Sequence, residues 1–153
     1  MVRIGDYFVL RDQLQSQQEH TYDFYLHGEG ELSLEGSPAK ATPRKSPFGW
    51  VTGLGARPAV ATVSGCWSQA GAGVKFWVAG SAEAREPEIE PLLGKCPAES
   101  GSRQIPLLIA RQQGKSAEFI TVLFPYKGKP ECSVARHGRQ LVITHGHTSD
   151  VLT

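Results

Sequence analysis

The sequence predicts an all-β fold, an antiparallel β-sandwich of about ten strands in a single domain spanning residues 1–153. Three observations predict it. Apolar residues come in short runs rich in Val, Ile, Phe, Tyr and Thr, bounded by Gly, Pro and Ser. Almost no stretch keeps a helical period of about 3.6 residues. Several runs are joined by links short enough, and with the right residues, for hairpins.

Taken in chain order, the runs place strands at Arg3 to Asp12, His20 to His27, Glu31 to Leu34, Ala59 to Trp67 and Val74 to Gly80. Further strands follow at Ile105 to Gln112, Glu118 to Phe124, Ser133 to Arg136 and Arg139 to His145, with a last short one ending at Thr153. "SQAGAG" joins "ATVSGCW" to "VKFWVAG", and "QQGKSA" joins "IPLLIAR" to "EFITVLF"; each link suits a hairpin. "RHGR" puts His137-Gly138 between two runs, and a loop ending in Gly suits the positive φ angles of a type I′ turn. A continuous run such as "FITVLF" reads as a strand covered on both faces.

Two stretches break this rhythm. Residues 36–49, "GSPAKATPRKSPFG", carry Pro38, Pro43 and Pro47 among Lys40, Arg44 and Lys45, and read as a basic surface loop. Residues 81–102 are acidic and then Gly/Ser-rich, and read as a long connection. "AEARE" has the makings of one helical turn that Pro87 and Pro91 stop from growing. No internal repeat or second domain is evident.

Composition narrows the function classes. The 40% hydrophobic and 20% charged residues are ordinary for a globular domain. A net charge of +1 without a basic run argues against a nucleic-acid partner. The start, "MVRIGDYFVL", is too short and too interrupted for a signal peptide or membrane span, so the chain reads as cytoplasmic as written, or as a fragment of a periplasmic or secreted protein, with no membrane partner. Cys66, Cys96 and Cys132 lie far apart with no zinc-type spacing, and their odd number leaves at least one thiol free. No G-x-S-x-G elbow, P-loop, H-E-x-x-H or dinucleotide fingerprint occurs. No cofactor is expected.

The densest cluster of reactive side chains is "HTYDFYLHG", His20 to Gly28. On a strand, Thr21, Asp23, Tyr25 and His27 share one face, and Tyr22, Phe24 and Leu26 share the other, with His20 on the apolar side. Asp23 and His27 then stand roughly 13 Å apart, too far to share an ion or a hydrogen bond. The cluster reads as a polar row beside Tyr25. "THGHTSD" is the better metal candidate: His145 and His147 on one strand face would lie about 6.6 Å apart, with Asp150 as a third ligand. The alternative is a polar turn before the last strand.

Among the aromatic residues, Trp67 and Trp77 sit inside apolar runs and read as core. Trp50, after the Pro-rich loop, reads as an exposed platform able to stack on a sugar ring, with Tyr25 and Tyr126 as further candidates.

The order of segments resembles the carboxy-terminal β-sandwich of heparinase II/III-like polysaccharide lyases. The resemblance rests on "DYFVLRDQLQSQQEHTYDFYLHGEGEL", with its His-x-x-Asp strand and "LHG", and on "RQIPLLIARQQGKSAEFITVLFPYKGKP", Arg103 to Pro130, with its strand, Gly turn and Pro-Tyr corner. It implies a sandwich that accompanies a helical catalytic domain acting on uronate-containing glycans. The helical part and the zinc-binding part of that family lie outside this sequence, so no catalytic residue and no zinc ligand is carried over. The implied role is a noncatalytic module whose partner is an acidic polysaccharide or a helical catalytic domain. Tyr25, His27, Trp50, Arg44 and Lys45 are the expected glycan contacts. Two alternatives stand beside it: a small metal-dependent enzyme using His145, His147 and Asp150, and a purely structural interaction module.

Overall fold

The computed structural model describes residues 2–36, 40–46, 48–80, 89–99, 101, 103–138 and 140–152, with backbone only for residues 2–4. The described residues are all-β, as the runs predict: a curled antiparallel sheet of nine strands and a small sheet of three. The strands are β1 (Val2–Ile4), β2 (Tyr7–His27), β3 (Glu31–Leu34), β4 (Thr42–Pro43), β5 (Thr52–Ala56) and β6 (Thr62–Gln69). They continue with β7 (Ala72–Ala79), β8 (Glu90–Pro97), β9 (Gln104–Lys127), β10 (Cys132–His137), β11 (Gln140–His145) and β12 (Thr148–Leu152).

Two long strands organise the domain. β2 has 21 residues and β9 has 24, and they pair antiparallel along most of their length. The second half of β9 also pairs with β7, and its first half with β8. One half-sheet is therefore β3-β6-β7-β9-β2, the other β4-β5-β8-β9-β2, and the same two strands pass from one to the other. The passage is a bulge. Gln15 pairs with Ser116 and His20 with Gly114, so five steps along β2 oppose two along β9. Three extra residues on one strand bend the ribbon, and Gly114, at φ +147°, supplies a backbone angle that a side chain would oppose. Across the bend the Gln112 side-chain carbonyl accepts from the Glu118 backbone N–H at 3.1 Å, while Arg11 Nε and Gln13 Nε2 donate to the Glu118 carboxylate at 2.7 and 3.0 Å.

"QQGKSA" is thus no hairpin. The two runs it joins are one strand, because β2 offers a continuous partner on both sides of Gly114 and reversal would forfeit that ladder. For the same reason the runs Arg3 to Asp12 and His20 to His27 merge into β2 beyond the tight turn at Gly5. Two strands lie in segments read as loops. Thr42–Pro43 forms a short edge strand against β5, where the missing proline N–H is harmless. Glu90–Pro97 is an interior strand between β5 and β9, inside the expected 81–102 connection. β5 itself was not expected, because Gly53 and Gly55 interrupt its apolar pattern. The proposed helical turn at "AEARE" lies outside the described residues.

The expected β6–β7 hairpin is present, with Gln69 opposite Ala72 and positive φ at Ala70 and Gly71. β10 and β11 also form a hairpin, but its turn begins at Gly138, one residue later than expected, since His137 still pairs with Gln140.

Three apolar clusters hold the layers. The central one lies between the half-sheets and takes Val63, Trp67, Phe76, Val78 and Phe119 from one and Leu108, Ala110 and Ile89 from the other, with Tyr22, Phe24 and Leu26 packed against it. Phe24 stacks on Phe119 with centroids 5.5 Å apart. A second cluster, Tyr7, Trp77, Val122 and Ile143, seats the small sheet on the outside of the first half-sheet. The third lies on the outside of the other half-sheet, where Val51 and Leu54 fold over Leu92, Leu107 and Ile109 and Tyr25 packs at its margin.

Candidate functional site

The candidate site is built on that third face. Alternation along β2 directs Tyr22, Phe24 and Leu26 to the central core and leaves Asp23 and Tyr25 on the outer side. Register then decides their neighbours: Asp23 lies opposite Arg111 on β9, and Arg111 lies opposite Glu90 on β8. The Arg111 guanidinium donates from Nε to Asp23 Oδ1 at 2.7 Å and from Nη2 to Oδ2 at 2.9 Å, a bidentate pair with both side chains mostly buried. Glu90 in turn accepts from Arg44 Nη2 at 3.2 Å. Acid and base alternate along the row. The Asp23 hydrogen bonds hold the Arg111 guanidinium more firmly charged than usual.

Tyr25 connects this row to an aromatic group. Its hydroxyl donates to Asp23 Oδ2 at 3.4 Å, and burial first, then the Asp23 charge, push the phenol up, keeping it protonated. Its ring meets Phe48 edge-on at 6.0 Å and Trp50 at 6.5 Å. Phe48 and Trp50 stack on each other at 5.3 Å and 23°. Phe48 is 38% and Trp50 48% exposed, and they are the exposed Phe, Tyr and Trp rings among the described residues. The turn that carries them is fixed locally: Ser46 Oγ donates to the Phe48 carbonyl at 2.7 Å and accepts from the Phe48 N–H at 3.1 Å, and the Val51 N–H donates to the same carbonyl at 3.1 Å.

Of the residues expected from sequence, Tyr25, Trp50 and Arg44 fall into this one assembly. Lys45 follows Arg44, exposed and without an ion pair to a described residue. His27 is exposed at the end of β2, opposite Leu107, and is outside the ring contacts that join Tyr25, Phe48 and Trp50. Sequence reasoning missed Arg111, Glu90 and Phe48. Arg111 was findable, as the charge that follows Leu107 and Ile109 in the two-residue alternation of an otherwise buried face. Trp67 and Trp77 are core residues, each 5% exposed.

The candidate metal cluster of His145, His147 and Asp150 is not assembled. β11 ends at His145, and Gly146, at φ +56°, reverses the chain with His147 in the turn, so the two histidines do not share a strand face. Among the described residues no three His, Cys, Asp or Glu side chains converge as ligands. Instead His145 Nε2 hydrogen bonds Asp150 Oδ2 at 3.1 Å, and the same oxygen accepts from the buried Tyr7 hydroxyl at 2.7 Å. Thr148 Oγ1 lies beside the same imidazole, 3.2 Å from Nε2 and 3.4 Å from Nδ1, and the Tyr7, Asp150 and His145 trio pins the small sheet to β2. Cys132 lies opposite His145, but burial pushes its thiol up and away from the nucleophilic thiolate. All three cysteines are free, Cys96 buried and Cys66 and Cys132 partly exposed.

A scan against protein-family models returns no match, and neither does a search of curated proteins. Neither comparison links the chain to heparinase II/III-like proteins.

Proposed function

We propose that this domain is a noncatalytic glycan-binding module, and that the sugar lies on the Phe48–Trp50 pair with its hydroxyls toward Asp23, Arg111 and Glu90. The observation that carries this reading is the pairing of solvent-facing stacked rings with a bidentate ion pair through Tyr25. Aromatic faces bind the C–H faces of sugars, and carboxylates and guanidinium groups meet the hydroxyls. The other exposed large apolar residues, Leu14, Val60 and Val151, lie on separate segments, so this pair is the concentrated apolar feature of the described surface.

Charges in the row cancel in pairs, Asp23 with Arg111 and Glu90 with Arg44, and Lys45 adds one positive charge nearby. An acidic polysaccharide is therefore favoured by a small margin. Salt weakens its retention modestly, since exposed charges are screened beyond a Debye length of about 8 Å at physiological ionic strength. A sugar of about a dozen heavy atoms at about 0.3 kcal/mol each implies a Kd on the order of 1 mM.

A glycan array probed with the labelled domain tests the proposal. We expect retention of a defined glycan set, lost in Trp50→Ala and weakened in Asp23→Asn. Binding to no glycan, or binding unchanged by Trp50→Ala, counts against it.

A further inference from the structure

We infer that the site takes a single pyranose ring, so that it recognises one sugar residue and not the length of a chain; this rests on the glycan-binding reading above. Phe48 and Trp50 stack on each other at 23°, so each ring has one face covered and the two free faces point in opposite directions, which keeps neighbouring sugars of one chain from lying on both. Beyond this pair no exposed Phe, Tyr or Trp ring exists among the described residues to receive a neighbouring sugar. The hydrogen-bonding groups stand close by. Tyr25 spans the gap, with its ring 6.5 Å from Trp50 and its hydroxyl 3.4 Å from Asp23 Oδ2, so one tyrosine side chain separates the stacking surface from the ion pair. A pyranose with its exocyclic hydroxyls matches a phenol ring in span. One sugar lying on Trp50 thus reaches Asp23 and Arg111 with its own hydroxyls.

The polar groups also have capacity for a single ligand. Arg111 uses Nε and Nη2 on Asp23, which leaves Nη1 with two hydrogens to donate. Asp23 Oδ1 accepts from Arg111 and retains a lone pair, while Oδ2 accepts from both Arg111 and Tyr25. Donor and acceptor side by side suit two adjacent hydroxyls on one ring. Both are fixed by cross-strand register and not by a loop, so the ligand meets groups already in place.

Amide chemical-shift titration of the intact chain tests this, with the Trp50 indole N–H as local reporter. The probes are two length series of one, two, four and six units, oligogalacturonates for the acidic arm and cello-oligosaccharides for the neutral arm. In the series that binds, we expect the monosaccharide and hexasaccharide to differ by less than about threefold in Kd, and Trp50→Ala to weaken both by about tenfold. Tyr25→Phe keeps the ring and removes the hydroxyl, and is expected to weaken both lengths by the same factor. Tightening of about tenfold or more from one to six units overturns the single-ring inference while leaving glycan binding intact. If neither series shifts any resonance, the glycan reading falls and takes this inference with it. Shifts confined to residues away from Trp50 and Arg111 overturn the site assignment.

Discussion

Arg111 and Asp23 face each other directly across the β2–β9 ladder, with guanidinium and carboxylate joined by two hydrogen bonds of 2.7 and 2.9 Å. Their side chains are 21% and 16% exposed, so neither charge is fully returned to water if its partner is lost. We expect Asp23→Asn or Arg111→Gln alone to cost about 2 kcal/mol of stability, and the double variant less than the sum of the two. Urea unfolding midpoints for the three variants measure this; an additive double variant would mean that the pair is not coupled.

The aromatic residues divide by layer, and the division sets their energetic weight. Phe119 is 1% exposed and stacks on Phe24 between the half-sheets, so Phe119→Ala is expected to cost about 3–5 kcal/mol. Trp50 is 48% exposed, and Trp50→Ala is expected to cost less than about 1 kcal/mol. Thermal melts of the two variants check the contrast, which also establishes that Trp50→Ala is usable in binding experiments.

The small sheet's attachment through Tyr7 and Asp150 makes stability depend on pH at both extremes. Burial, and then the Asp150 hydrogen bond and charge, push the Tyr7 phenol from 10.0 up to about 12. A raised folded value means that this contribution is complete below pH 10.0 and is lost as pH rises toward about 12. Asp150 moves the other way. The Tyr7 hydrogen bond first, then that of His145, hold its carboxyl below 3.8, so its contribution is present above that pH and is lost as pH falls through the depressed folded value. Tyr7→Phe should flatten the alkaline limb of a stability–pH profile and Asp150→Asn the acid limb. Amide exchange at Ile143 and Leu152 reports the docking itself; unaltered limbs in both variants would contradict the assignment.

Gly73 is required by close approach. A Cβ there would stand 2.1 Å from the Trp67 carbonyl oxygen and 2.8 Å from the Tyr126 hydroxyl, and the backbone oxygen of a paired strand has little room to move. Gly73→Ala is expected to destabilise by about 1–3 kcal/mol through overpacking. Gly49 has open space around its Cβ position, and Gly49→Ala serves as the neutral comparison in the same denaturation series.

Local alternation made much of the domain legible. The two-residue repeat of "HTYDFYLHG" separates Asp23 and Tyr25 from Phe24 and Leu26 before any partner strand is known, because pleating alone sends neighbouring side chains to opposite faces. Position inside apolar runs marked Trp67 and Trp77 as core, and turn residues marked the β6–β7 hairpin. Glycine and proline hid β5 and β8, whose strand conformation comes from the ladders on either side of them and not from their own propensity.

The sequence by itself determined the strand class, the faces of β2 and the separation of buried from exposed tryptophans, since each depends on residues within a few positions of one another. Only the tertiary structure decided that the segments around Gly114 form one bent strand and that His147 turns away from His145. It also decided that Arg111, Glu90 and Phe48 join Tyr25 and Trp50. Those outcomes depend on which distant strands pair and in what register, a choice made by the whole set of ladders and cores together, and no short window of sequence contains it.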